Sequence, residues 1–232
     1  IGTACSVPES RTFLTGMSRI QALKRMARPA LRLLGLRPPD YKARVRHGEV
    51  CMDNIELHGL LRVVRLLDRP PACVVEIGSY CGGSTVVIGR AAARRNPGVK
   101  LYAIEPFTFH EARYQYDYEG LFDRNVDEWG LTANVVKVKK TSEKVALDWD
   151  REIDFLYIDG DHSYEAVVRD INNFVRFVRA GGLFAFHDYK SAGKEGVRRA
   201  VDELVMPHHR PVFTVGSLIC FEKTAEGGSE RA

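Results

Sequence analysis

Two short stretches end apolar runs with acids and histidines. In LYIDGDHSYEAVVRD the run stops at Asp159, and Asp161 and His162 follow at once. In LFAFHDY a second apolar run stops at His187 and Asp188. Carboxylates beside an imidazole can hold a divalent cation, move a proton, or do both. Neighbouring strands lie about 4.8 Å apart, so acids leaving the same edge of two strands can converge on one ion. A third stretch, VVEIGSYCGGST, sets Glu76, Gly78, Gly82 and Gly83 between a strand and a helix, where a loop can wrap a ligand. Each stretch also has a plainer use. Asp-Gly is ordinary turn chemistry, and Asp161, or failing it Ser163, is expected to cap the helix that follows.

The elements that must position these residues are legible from periodicity. DNIELHGLLRVVRLLDR reads as a capped amphipathic helix with Leu57, Leu60, Leu61, Val64 and Leu67 facing inward. ACVVEIG, VKLYAIEP, NVVKVKK, IDFLYIDG and LFAFHDY read as strands, with helices at STVVIGRAAARR and GVRRAVDEL between or after them. Another helix is expected to carry Val167, Val168, Ile171, Phe174, Val175 and Val178 on one face and to stop at Gly181-Gly182. PVFTVGSLICFEK reads as a hairpin turning at Gly216-Ser217. Alternating strands and helices predict an α/β, Rossmann-like, doubly wound sheet, mostly parallel and seven-stranded, with an antiparallel C-terminal edge hairpin. In such sheets ligands bind outside the carboxyl ends of the strands, and every suggestive cluster here sits at such an end. The domains expected are a basic helical arm over 1–47, the main domain over 48–223 and a polar tail over 224–232.

The glycine loop separates two cofactor classes. A dinucleotide loop needs G-x-G-x-x-G, and counting from Gly78 puts Tyr80 at the second glycine, where a side chain blocks the approach to a pyrophosphate. NAD is disfavoured on that ground. The spacing of Glu76, Gly78 and Gly82 instead resembles the E-x-G-x-x-x-G loop of class I S-adenosylmethionine-dependent methyltransferases. The resemblance implies that Glu76, Gly78, Ser79, Tyr80, Gly82 and Ser84 cradle the methionine part of S-adenosylmethionine. It makes Glu105, after the second strand, the acid for the ribose hydroxyls, Ser142 an adenine-side residue, and Asp159 part of the cofactor wall.

IDGDHSY followed by GGLFAFHDY is similar to the small-molecule O-methyltransferase branch, which includes enzymes of macrolide sugars. The likeness covers about residues 50 to 223. It implies catalytic roles for Asp159 and His162, with His162 as base, and a metal site at Asp159, His187 and Asp188. The chain departs from the sugar enzymes by placing His187 where they have an acid. Imidazole is a poor ligand for magnesium and a better one for manganese, iron or zinc. Either the ion is Mn rather than Mg, or His187 lies outside the ligand set, or no metal is used. Between the second and third strands, the aromatic PFTFHEARYQYDYEGLFDRNVDEWG predicts a helix from Arg113 to Glu128 preceded by a lid, with His110 and Tyr114 as substrate contacts.

Composition narrows the partners. The net charge of +4 divides unevenly: residues 1–50 hold ten Lys or Arg against three acids, and the remainder holds 24 against 27. The basic arm leaves open a contact with a membrane surface, and self-association is open too. It also raises a nucleic-acid methyltransferase as the rival reading, which IDGDHSY argues against, because amino-methylating enzymes usually carry Pro-Pro-aromatic there. A noncatalytic binding module is the remaining rival. Five scattered cysteines without C-x-x-C spacing argue against a disulfide framework or zinc site and point to a reducing cytoplasm. The acceptor expected is a small molecule.

Overall fold

Short runs of Val, Ile, Leu and Phe with few polar interruptions make strands that must be covered on both faces. In the computed structural model, which describes residues 40–48, 50–108 and 117–224, they do. β1 (Cys73–Ile77) and β4 (Ile153–Ile158) are buried throughout. β2 (Lys100–Ile104), β3 (Val135–Val138) and β5 (Val178–Phe186) complete a parallel set. β7 (Leu218–Glu222) pairs antiparallel with β5, and β6 (Pro211–Val215) closes that edge. The order is β3-β2-β1-β4-β5-β7-β6, the Rossmann-like sheet with the edge hairpin expected. The strand order reverses between β1 and β4, which is where such folds take ligands.

Six helices flank the sheet among the described residues: α1 (Asn54–Leu66), α2 (Gly83–Arg95), α3 (Tyr118–Glu128), α4 (Ser142–Ala146), α5 (Tyr164–Phe174) and α6 (Glu195–Leu204). Two apolar clusters form, one on each face. The first joins α1, α2 and α3 to the sheet through residues such as Leu57, Val87 and Phe122. The second joins α5 and α6 through Ile171, Phe174 and Val201. Each fully buried Leu or Ile contributes roughly 2 kcal/mol. Tyr41 and Val45 belong to the first cluster, so the packed unit begins at Asp40, before the boundary expected at 48. Residues 1–39 of the basic arm and the tail from 225 onward lie outside the described residues.

Three local readings change. The helix expected to run to Val178 ends at Phe174, a 3-10 turn spans Val175–Phe177, and Val178 already pairs with Ile153. Gly181 and Gly182 lie inside β5 rather than at a helix end. The ladder to β4 outcompetes the last helical turn, although both arrangements bury Val175 and Val178. Ser163, not Asp161, caps α5 by accepting the Ala166 N–H, while Asp161 accepts the Ser163 N–H at 2.8 Å and tightens the turn before it. The helix ending at Glu128 begins at Tyr118 within the described residues; its expected start at Arg113 lies outside them, as do His110 and Tyr114.

Candidate active site

Three strand ends meet where the order reverses. The ladder continues one residue past each strand: Gly78 N–H donates to Ile104 O (3.0 Å), Asp159 N–H to Ile77 O (2.8 Å) and His187 N–H to Ile158 O (3.1 Å). Asp159 therefore sits between the glycine loop and the HDY segment. Gly78 has φ +86°, and a Cβ there would lie 2.2 Å from Asp159 O. Only glycine lets the loop and the acid rim press together this closely.

Among the described residues, three non-glycine residues have left-handed backbone, Tyr80, Phe107 and Asp188, and all border this edge. Such backbone is uncommon and costs energy, so something must hold it. For Tyr80 and Phe107 the holder is Glu105, whose two oxygens accept their N–H groups at 3.3 and 3.2 Å. Burial raises the Glu105 pKa, and backbone groups of Phe107 and Ser79 oppose the rise. Each oxygen keeps a lone pair for a further donor. Glu76 is fully buried, its pKa is pushed up to about 7 by burial, and Thr85 Oγ1 donates to its Oε2. Its Oε1 and the neighbouring Ser79 hydroxyl have no hydrogen-bond partner among the described residues. Unpartnered buried acceptors are costly, and two of them in one wall suit a ligand that donates.

Asp159, His162 and Asp188 each offer a ligand atom, all within 4.8 Å of one another. His162 Nε2 lies 2.9 Å from Asp188 Oδ2 and 3.9 Å from Asp159 Oδ1. Tyr157 donates its hydroxyl to Asp159 Oδ2 (2.9 Å), and Ser191 donates to Asp188 Oδ1 (2.5 Å). Burial opposes the charge on both acids, yet the two histidines hold both pKa values below the usual carboxylate range.

His187, expected among the ligands, lies outside this group of three. Its Nδ1 faces Asp159 Oδ1 at 3.1 Å and its Nε2 faces Glu56 Oε2 at 3.3 Å, so both ring nitrogens are engaged. Although burial disfavours the charge, these acids and Asp188 push its pKa up to about 12. The flanking carboxylates thus favour the protonated ring. Glu56 is held at about 2, against the effect of burial, by His187 and by Ser217, whose N–H and hydroxyl it accepts at 2.8 and 2.7 Å.

His162 meets opposing influences. Hydrogen bonds to Asp159 and Asp188 raise its pKa to about 9, while burial and Lys194 pull it down. Lys194 Nζ donates to His162 Nδ1 at 2.9 Å, which demands a lone pair there. The proton on Nε2 then faces Asp188 Oδ2. Gly196 makes the contact feasible, since a Cβ there would lie 2.5 Å from His162 O and push α6 away.

Sequence reasoning missed Glu56 and Lys194. Glu56 sits three residues after Asp53 and forms the capping box of α1, which accounted for it locally. Lys194 carries no motif. Ser142 starts α4 as an adenine-side residue would, but its hydroxyl donates to the buried Asp170 at 2.5 Å. Gly82 and Ser84 lie at the start of α2, beside the loop.

Comparison with known proteins agrees with this geometry. Residues 75–189, from the glycine loop to the HDY segment, match a family model described as a methyltransferase domain. This segment is a methyltransferase domain. The chain shares 27% identity over 143 residues, 59% of its length, with uncharacterized protein R132 of Acanthamoeba polyphaga mimivirus. The match covers 60% of that protein's length. The methyltransferase fold recurs in the O-methyltransferase TomG of Streptomyces achromogenes, solved with S-adenosylmethionine, at TM-score 0.58 and 18% identity over 92% of this chain and 93% of that one. The TDP-rhamnose 3'-O-methyltransferase CalS11 gives TM-score 0.59 and 14% identity over 90% and 96%. No helix among the described residues is long and apolar enough to cross a membrane.

Proposed function

We propose that the chain transfers the methyl group of S-adenosylmethionine to a hydroxyl of a small molecule, a sugar or another secondary metabolite. The observation that carries the reading is the acid and imidazole cluster of Asp159, His162 and Asp188, pressed by Gly78 against the glycine loop. When bound, S-adenosylmethionine supplies an electrophilic methyl group on a sulfonium. The residues fit it: the free acceptor Glu76 Oε1 suits its ammonium, and Glu105, with both oxygens already oriented, suits the ribose diol. The sugar acceptor is suggested by CalS11 and by the similarity of IDGDHSY to the sugar enzymes.

Asp159, His162 and Asp188 also fit a divalent cation, one imidazole and two carboxylates, a set that favours manganese or iron over magnesium. Such an ion supplies polarisation of the acceptor hydroxyl. The chain's own cations already answer much of the charge, since His187 and Lys194 stand against Glu56, Asp159 and Asp188. Without an ion, His162 acts as the base, taking the hydroxyl proton on Nδ1 once Lys194 turns aside, and Asp188 holds the ring through Nε2; an ion on Nε2 would replace that hydrogen bond. Closure of the pocket contributes alignment of acceptor and methyl group.

Calorimetry with S-adenosylhomocysteine and with NAD tests the cofactor. Binding of the first alone is expected, with a loss of ~10-fold or more in Glu105→Ala; binding of NAD alone would remove the reading. Methyl transfer to a panel of hydroxylated sugars, before and after chelation and with manganese or magnesium returned, tests the acceptor and the ion.

A further inference from the structure

On the outer side of the first apolar cluster lies a cavity of about 360 Å³, within the range of small-molecule sites. Its wall comes from four places: the 3-10 turn at Lys42–Arg44, the middle of α1, the second half of α2 and the end of α3. Among the described residues that line it, eleven in number, four are arginine, namely Arg44, Arg46, Arg90 and Arg94, and Glu128 is the only acid. Glu128 is already committed, to Arg46 at 3.1 Å and to His47 at 2.9 Å. Arg44 lies 6.0 Å over the Tyr41 ring. For Arg44, Arg90 and Arg94 no ion pair exists among the described residues.

The plainer explanation covers part of this. Arg94 and Arg95 stand in the last turn of α2, where the helix dipole favours cations. Arg90 is a turn earlier and faces the same cavity as Arg94. Like charges at that spacing repel and are unfavourable without a counter-ion. The guanidinium fork matches phosphate oxygens bidentately. Beneath the arginines, Leu61, Val87 and Trp129 give an apolar and aromatic floor. Arg90 is about 10 Å along α2 from Gly83, so the cavity is separate from the cofactor loop.

We infer that this cavity is a binding site for a phosphate-bearing ligand, a phosphomonoester or diphosphate, whose organic part rests on Leu61, Val87 and Trp129. The same headgroup chemistry occurs on free metabolites and on anionic lipids.

The test compares the full chain with Arg90→Glu/Arg94→Glu and with Arg65→Glu, an exposed arginine outside the cavity. Inorganic pyrophosphate is titrated by calorimetry at low salt, and vesicles of phosphatidic acid in phosphatidylcholine are pelleted with each protein. Binding of S-adenosylhomocysteine, unchanged in all three, reports that they are folded. Pyrophosphate binding weakened ~10-fold or more in the double variant and kept in Arg65→Glu supports a free ligand. The same pattern with vesicles alone supports a lipid headgroup. If neither probe binds, or if the double variant binds both like the unaltered chain, the site does not exist.

Discussion

Strand β4 carries a buried aspartate near its amino end and is followed by a half-buried one just past its carboxyl end, and the two are used oppositely. At the amino end Asp154, 1% exposed, accepts from Arg179 Nε (2.7 Å), Arg69 Nε (2.9 Å) and the Ala72 and Cys73 N–H groups (2.8 and 3.1 Å). Arg179 is also paired with Asp68. Every atom has a protein partner, and these donors hold the Asp154 pKa low against burial. Just past the carboxyl end, Asp159 stands among charges with capacity to spare: left-handed backbone at Asp188, a histidine tied to a lysine, and two unpartnered acceptors nearby. A buried charge that the fold satisfies completely is scaffold. One whose neighbourhood keeps unsatisfied atoms is poised for a ligand.

The sharpest way to break the contrast is to neutralise each acid. Asp159→Asn is expected to lower methyl transfer ~1,000-fold per folded molecule, beyond the stability lost when His187 gives up one of its carboxylates, because proton transfer and orientation are lost as well. Kinetics and calorimetry on the same preparation check this, and an unchanged rate would return Asp159 to the scaffold. Asp154→Ala is expected to do the reverse. It leaves the buried Arg179 with only the exposed Asp68 as counter-charge and costs about 3 kcal/mol in a urea titration, with activity per folded molecule retained. A cost below about 1 kcal/mol would mean that the amino-end network is not what holds that edge.

Asp170 on α5 sharpens the comparison with an intermediate case. It is buried with Ser142 as its hydrogen-bond donor, and burial pushes its pKa up to about 6. The folded chain thus binds this proton more tightly than the unfolded chain does. The stabilisation is complete below about pH 4 and is lost as pH rises through about 6. Asp170→Asn is therefore expected to be more stable than the natural chain at pH 8, by ~1–2 kcal/mol, and equal to it near pH 4. Thermal melts at the two values decide it; equal stability at pH 8 would mean that Asp170 is well solvated.

Much of this molecule was legible in one dimension. Period-two and period-3.6 patterns located the strands and helices, and the reversal of strand order followed from their alternation. Asp159, His162 and Asp188 were readable because they interrupt apolar runs at strand ends. The errors were local competitions. Val178 fits a helix face as well as a strand, and only the partner strand beginning at Ile153 decides between them. Asp161 and Ser163 are both good caps, and backbone geometry picked Ser163.

The sequence by itself determined the sheet, its ligand-binding edge and the acids along it, because periodicity and strand ends are local properties of the chain. Only the tertiary structure decided what those acids do. Glu56 reaches His187 across 131 positions and favours its protonated form, and Lys194 reaches His162 across 32. Charge states depend on which groups lie within a few ångströms, and that distance is set by packing rather than by spacing along the chain.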